Sequence, residues 1–323
     1  MKLNNFLNHY TNVCLKNKND NYKIVSSNAL NYKIFKKNGY VVVKNFLNKN
    51  DINQIKSSYK KFIINNPKVN LFRQNTGIVE KNSLTNKKYL LNPIQNVQDL
   101  QIKKYKPYID CAKKIILSQK IKKITSFFLK AEPLLIQSMQ FEIDPQTPPH
   151  YDAYYMNSRF KNGMIGIWFA LEDIKKEAGR FFLIKKSHLK NKASFQNLNI
   201  NIKHNEYLDK MKQLVLLNKN KLSSPFLKKG DILIWDSNTV HGSAGVLNKN
   251  YSRFSLTAHY IKNDTFYYKG LNKFTIKKEN YKNFLFSKNK DNNNINIIVL
   301  MKISQYFPNL YKTIKKIIRN FLK

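Results

Sequence analysis

Three stretches of the chain gather residue types that bind metals and acids: PPHYDAYYMN at 148–157, GDILIWDSNTVHGSAG at 230–245 and YSRFSLTAHY at 251–260. In the first, His150 and Asp152 stand one residue apart. On a strand or its extended end, side chains at i and i+2 face the same way, so one segment can offer two ligands to one ion. His241 follows the apolar run Ile232–Trp235 after a short turn and offers a third. Two imidazoles and one carboxylate on one face of an octahedron leave three positions open. That facial triad suits non-haem Fe(II), whose open positions take a co-substrate and O2.

Arg253 lies beyond His241 on the next expected strand, with Phe254 and Leu256 beside it. A guanidinium there is costly to bury without an anion, and a carboxylate of a dicarboxylic acid would supply a two-pronged partner. Ser255, at i+2, is expected to point the same way and add a hydroxyl. Each residue taken singly has a plainer reading. An H-x-D arises by chance, His241 fits a turn histidine, and Arg253 fits an ion pair with a scarce acid such as Glu172 or Asp173. The three signals in this order, each tied to an apolar strand, favour the site. His9, His188, His204 and His259 fit no ligand spacing and read as structural or surface residues.

Short runs rich in Ile, Phe and Leu must carry these residues: Leu134–Ile143, Met164–Leu171, Arg180–Ile184, Asp231–Trp235 and Ser252–Ile261. Pro145, Pro148, Gly163, Gly179, Gly230, Gly242 and Gly245 punctuate them, which predicts a sandwich or barrel. Upstream, NYKIFKKNGYVVVKNFLNKNDINQI reads as a helix end, a turn at Gly39, a strand Tyr40–Val43 and a helix capped by Asn50 or Asp51. Residues 100–130 have the periodicity of one or two helices. The expected fold is therefore mainly β with flanking helices. Residues 1–30 form a loosely ordered segment, and 31–262 a domain with a β core at about 134–262 and helical support at 44–130. Residues 263–323 form a helical extension. Its end, 309–323, sets Leu310, Ile314, Ile317, Ile318, Phe321 and Leu322 against Lys312, Lys315, Lys316 and Arg319. Such a helix either docks on the body or lies on an anionic membrane.

The formal net charge of +39 invites a nucleic-acid partner. Arg, the usual reader of phosphates and bases, occurs only at 73, 159, 180, 253 and 319. Lys, Asn and Ile rise together, which reads as drift toward AT-rich codons. Cys14 and Cys111 give neither a disulfide framework nor a zinc pattern, so a reducing cytoplasm is expected. No stretch reads as a signal peptide or a membrane span.

With these motifs in place, the chain resembles the phytanoyl-CoA dioxygenase family of Fe(II)/2-oxoglutarate oxygenases, from about Asn38 to about Ile261. GYVVVKNFLNKNDINQI resembles the family's opening strand and helix, and MIGIWFALEDIKKEAGRFFLIKKSHLK its central strand pair. The resemblance implies a double-stranded β-helix, the cupin-like jelly roll. It also implies His150, Asp152 and His241 as the iron ligands and Arg253 as the 2-oxoglutarate arginine. Trp168 and Gln140 match positions beside the co-substrate, Gly179 matches the hairpin glycine, and Asn96 stands where some members place a further polar contact. The family's Pro-Gly-Ser-His turn reads Lys185–Lys186–Ser187–His188 here, and Arg180 replaces a small or apolar residue. The presence of Asp152 separates the chain from halogenating relatives. The implied activity is decarboxylation of 2-oxoglutarate to succinate and CO2, driven by O2 and coupled to hydroxylation of a small-molecule or acyl-type substrate. Loops around Tyr151, Tyr154, Tyr155 and Phe160 are expected to line a partly apolar pocket. The competing readings are a non-redox jelly-roll binding protein and, on charge alone, a polyanion-binding protein.

Overall fold

The computed structural model describes residues 27–66, 70–77, 79–100, 103–190, 203–288, 303, 307, 309–311 and 313–314. A first helix, α1 (Asn28–Asn38), starts under the Ser27 hydroxyl, which accepts from the Leu30 amide at 3.2 Å. It stops at Gly39, whose φ of +87° closes the last turn. The chain then enters strand β1 (Tyr40–Val43) and helix α2 (Lys49–Tyr59). The cap of α2 is Asn48, not Asn50 or Asp51: its side chain accepts from the Asn50 amide, which places Asn50 and Asp51 in the first turn.

After three two-residue strands, β2 (Leu71–Phe72), β3 (Val79–Glu80) and β4 (Ile94–Gln95), come two helices. These are α3 (Lys106–Ile116) and α4 (Gln119–Leu129), each burying one apolar stripe. The β region follows: β5 (Pro133–Phe141), a single turn α5 (Asp152–Tyr155), β6 (Met156–Asn157), β7 (Met164–Ala170) and β8 (Phe181–Ile184). Two helices interrupt it, the short α6 (Ser187–Lys190) and α7 (His204–Leu217). The latter was not expected within the β core, although Tyr207, Met211 and Val215 bury one face at helical spacing. Strands β9 (Leu222–Ser223), β10 (Ile232–Asp236), β11 (His241–Ser243) and β12 (Ser255–Lys262) complete the expected core.

The major sheet runs β1-β10-β7-β12-β5 and continues through β16 (Phe284–Lys288) and β15 (Lys277–Tyr281), while β4 also pairs with β5. Alternation divides its two faces. Ile165, Ile167, Phe169, Ile232, Ile234, Leu256 and Tyr260 pack against α1 to α4 in the largest core cluster. Trp168, Leu233 and Trp235 face the other way and meet Phe181 and Leu183 of a second sheet, β11-β8-β9. Apolar burial on both faces explains why β7 and β10 read as continuous hydrophobic runs.

Residues 263–288 do not begin a helical extension. They form β13 (Phe266–Lys269), β14 (Asn272–Thr275), β15 and β16. Runs of four or five residues separated by turns at Gly270 and Lys282–Asn283, all at positive φ, are too short and too interrupted for helix. β13 pairs with β6, and β16 lies parallel to β5. Most of the basic segment 309–323 and all of residues 1–26 lie outside the described residues. No helix among the described residues is long and apolar enough to cross a membrane.

Candidate active site

Between the two sheets lies a cavity of about 480 Å³. His150 enters it from the loop after β5, directly opposite His241 at the start of β11. The two residues exchange both backbone hydrogen bonds, each 2.8 Å long, as a closely spaced antiparallel pair. Their rings are therefore side by side, with centroids 4.3 Å apart. Asp152 opens the turn α5 and projects between them. Its Oδ1 is 3.6 Å from His150 Nε2 and 3.5 Å from His241 Nε2. The three ligand atoms lie within 4.8 Å of one another.

The backbone fixes which ring nitrogens face that point. His150 Nδ1 is 2.9 Å from the Pro148 carbonyl, and His241 Nδ1 is 2.8 Å from the Thr239 carbonyl. A carbonyl only accepts, so each Nδ1 carries a proton, and each Nε2 is left as the atom that faces that point. Burial lowers the His241 pKa, with Asp152 opposing, which favours the neutral ligand form. Burial alone would raise the Asp152 carboxyl, but His241, His259 and His150 together hold it well below the usual range. Two imidazoles and one carboxylate converging on one point fit Fe(II).

Behind Asp152 stands a support that the sequence reading missed. Trp235 Nε1–H donates to Asp152 Oδ2 at 2.7 Å. His259 Nε2 lies 3.4 Å from the same oxygen, so His259 belongs to the site and not to the surface. Registry produces this arrangement: Trp235, Gly166 and His259 are cross-strand neighbours on β10, β7 and β12. A Cβ at Gly166 would come within 2.2 Å of the Trp235 ring, so glycine leaves the space the indole crosses. Parity along β12 from Arg253 to Thr257 and His259 was the available signal. The partner strands that make it a site are invisible in a single segment.

Arg253 lines the same cavity and is buried. Its Nη1 donates to the Gly179 carbonyl at 2.6 Å and to Ser243 Oγ at 3.3 Å. Its acidic partner is neither Glu172 nor Asp173 but Asp144, at 3.1 Å. Glu172 instead accepts from the Phe254 amide, and Asp173 from the Lys229 amide. Trp168 lines the cavity, its ring 5.5 Å from the Arg253 guanidinium carbon.

Three expected contacts fall elsewhere. The Ser255 hydroxyl donates to the Arg253 carbonyl at 3.0 Å, and Ser243 supplies the hydroxyl beside the guanidinium. Gln140 has the wrong parity: Gln137, Met139 and Phe141 of β5 face the cavity, whereas Gln140 turns to the Tyr108 hydroxyl and the Ser255 carbonyl. Asn96, at φ +55°, is not among the lining residues, and its neighbour Gln95 is. Of the four expected aromatic residues, Tyr155 lines the cavity. Tyr154 stacks on Tyr207 of α7 at 3.6 Å, Tyr151 packs beside them, and Phe160 is exposed under Arg159.

A His–Asp–His triad and a buried arginine between two sheets define the class of 2-oxoglutarate-dependent iron oxygenases. The family model for phytanoyl-CoA dioxygenase (PhyH) matches residues 35–255, and the chain belongs to that family. The donor set described above suits an iron ion. Among solved structures, EctD from S. alaskensis in its apoform aligns at 13% identity with a TM-score of 0.55, covering 85% of this chain and 92% of that one. The non-heme alpha ketoglutarate dependent carbocyclase SnoK from nogalamycin biosynthesis aligns at 14% identity and 0.54, covering 80% and 90%. AviO1 from Streptomyces viridochromogenes Tue57 aligns at 13% and 0.50, covering 74% and 97%. At these identities the likeness is one of fold, the jelly roll expected from the sequence. No curated protein matches the chain.

Proposed function

We propose that the chain is an Fe(II)- and 2-oxoglutarate-dependent dioxygenase that hydroxylates a small-molecule or acyl-type substrate. The observation that carries this reading is the convergence of two imidazole nitrogens and one carboxylate oxygen in the cavity that Arg253 also lines. His150, Asp152 and His241 hold the metal. Arg253, helped by the Ser243 hydroxyl, takes the far carboxylate of 2-oxoglutarate as a charge-assisted pair. Trp168 and Phe181 keep that end dry, which strengthens the pair. The bound iron and co-substrate supply the oxidising chemistry, in which O2 converts 2-oxoglutarate to succinate and CO2 while a substrate C–H bond is oxidised.

The protein's remaining contribution is position. Gln74, Gln95, Gln137, Tyr155, Met156 and Lys269 line the rest of the cavity and leave a mixed polar and apolar space for the substrate. Anaerobic addition of Fe(II) and 2-oxoglutarate should produce a visible metal-to-ligand charge-transfer band, and succinate release across a metabolite library should then identify the substrate. His150→Ala and His241→Ala should each abolish both signals while the protein stays folded. A wild-type protein that binds Fe(II) and 2-oxoglutarate without a band refutes the proposal.

A further inference from the structure

Arg253 is already paired with a buried acid, Asp144. Arg253 Nη2 and Asp144 Oδ1 are 3.1 Å apart, and both side chains are almost wholly out of water. Arg253 lines the cavity and Asp144 does not, so the acid stands behind the guanidinium. Asp144 Oδ1 also accepts from the Gln146 amide at 3.0 Å, while Asp144 Oδ2 and Arg253 Nε have no hydrogen-bond partner among the described residues. Gly179, at φ +74°, makes this possible, since a Cβ there would sit 2.2 Å from Asp144 Oδ2.

With no anion in the cavity the pair is neutral. The far carboxylate of 2-oxoglutarate adds one negative charge, giving two carboxylates on one guanidinium in a dry site. Two acids sharing such a site do not both stay ionised cheaply, and the pKa of one is driven up. Asp144 takes hydrogen bonds from the Ser243 hydroxyl and the Gln146 amide, and its Oδ2 is the oxygen left for a proton.

We propose that Asp144 is the resident counter-ion of the co-substrate arginine: it neutralises Arg253 while the cavity holds no anion, and it takes one proton from solvent when the far carboxylate of 2-oxoglutarate arrives. This rests on the reading of Arg253 as the co-substrate anchor. Burial already pushes the Asp144 carboxyl up, against the opposing pull of Arg253. The groups facing it from the packed elements are Arg253 ahead of β12, the Ser243 hydroxyl of β11 and the Gln146 amide of its own loop. Binding coupled to one proton weakens about tenfold per pH unit between the Asp144 pKa values of the free and bound protein. Asp144→Asn keeps an acceptor oxygen for Gln146 and Arg253 and removes the charge.

The test is calorimetric titration of 2-oxoglutarate into anaerobic Fe(II)-loaded protein, in buffers of different ionisation enthalpy, from pH 6 to 9. Wild type should take up close to one proton per 2-oxoglutarate within that range and lose affinity as pH rises. Asp144→Asn should take up none and bind about tenfold more tightly at the alkaline end. Absence of proton uptake by wild type, uptake that persists in Asp144→Asn, or weaker binding by Asp144→Asn overturns the proposal. The wild-type buffer comparison decides even where the variant folds poorly. Arg253→Ala separates the two levels: undiminished 2-oxoglutarate affinity in that variant removes the anchor itself, whereas lost affinity leaves Asp144 to be judged by the proton count.

Discussion

Replacing Trp235 by Phe isolates the support behind the metal ligands. The indole donates to Asp152 Oδ2 at 2.7 Å while Oδ1 faces the two imidazoles. Phenylalanine retains an aromatic ring next to Gly166 and lacks the N–H. A hydrogen bond to a charged group contributes about 1.5–3 kcal/mol. At about 1.4 kcal/mol per factor of ten, that corresponds to a roughly 10- to 100-fold loss of metal affinity. Removal of outer partners of metal ligands in general costs a similar factor. The assay is anaerobic competition for Fe(II) or Co(II) against a chromophoric chelator. Melting of the metal-free variant separates this effect from the packing lost with the smaller ring. Unchanged metal affinity in a folded Trp235→Phe protein would show that Asp152 is oriented by its turn alone and not by the indole.

Other perturbations test neighbouring parts of the account. Arg253→Ala removes a two-pronged charged contact and should weaken 2-oxoglutarate binding by about a hundredfold or more, with little effect on Fe(II) affinity, both read by titrating the charge-transfer band. Gly166→Ala forces the Trp235 ring to move and should lower stability by about 1–3 kcal/mol in denaturant titration, with metal affinity falling alongside. Burial pushes the Glu142 carboxyl up, although the Leu90 amide and Tyr59 hydroxyl bond to it. An acid whose folded pKa exceeds its unfolded value of about 4.3 destabilises the fold as pH rises through that value, and the full cost is present above the folded one. Glu142→Gln should therefore match wild type in melting temperature under acid conditions and exceed it at neutral pH.

The fold was legible because strands buried on both faces are written as apolar runs bounded by glycine and proline, as at Met164–Ala170 and Ile232–Asp236. It reached the triad because H-x-D places two ligands in one segment. Contacts between segments were out of its reach. The pairing of His150 with His241, the row Trp235–Gly166–His259 and the partnership of Arg253 with Asp144 depend on register across strands far apart in sequence. The family resemblance misplaced Gln140, which lies one residue from the cavity-facing Met139 and Phe141. At 263–288 the basic composition masked strands of four or five residues, each too short to show a period.

The most direct test of the central claim is an iron-edge anomalous map from anaerobic crystals grown with Fe(II) and 2-oxoglutarate. The account predicts one peak at bonding distance from His150 Nε2, His241 Nε2 and Asp152 Oδ1, with the far carboxylate of the co-substrate on Arg253. Iron bound elsewhere, or a co-substrate whose far carboxylate avoids Arg253, would contradict it.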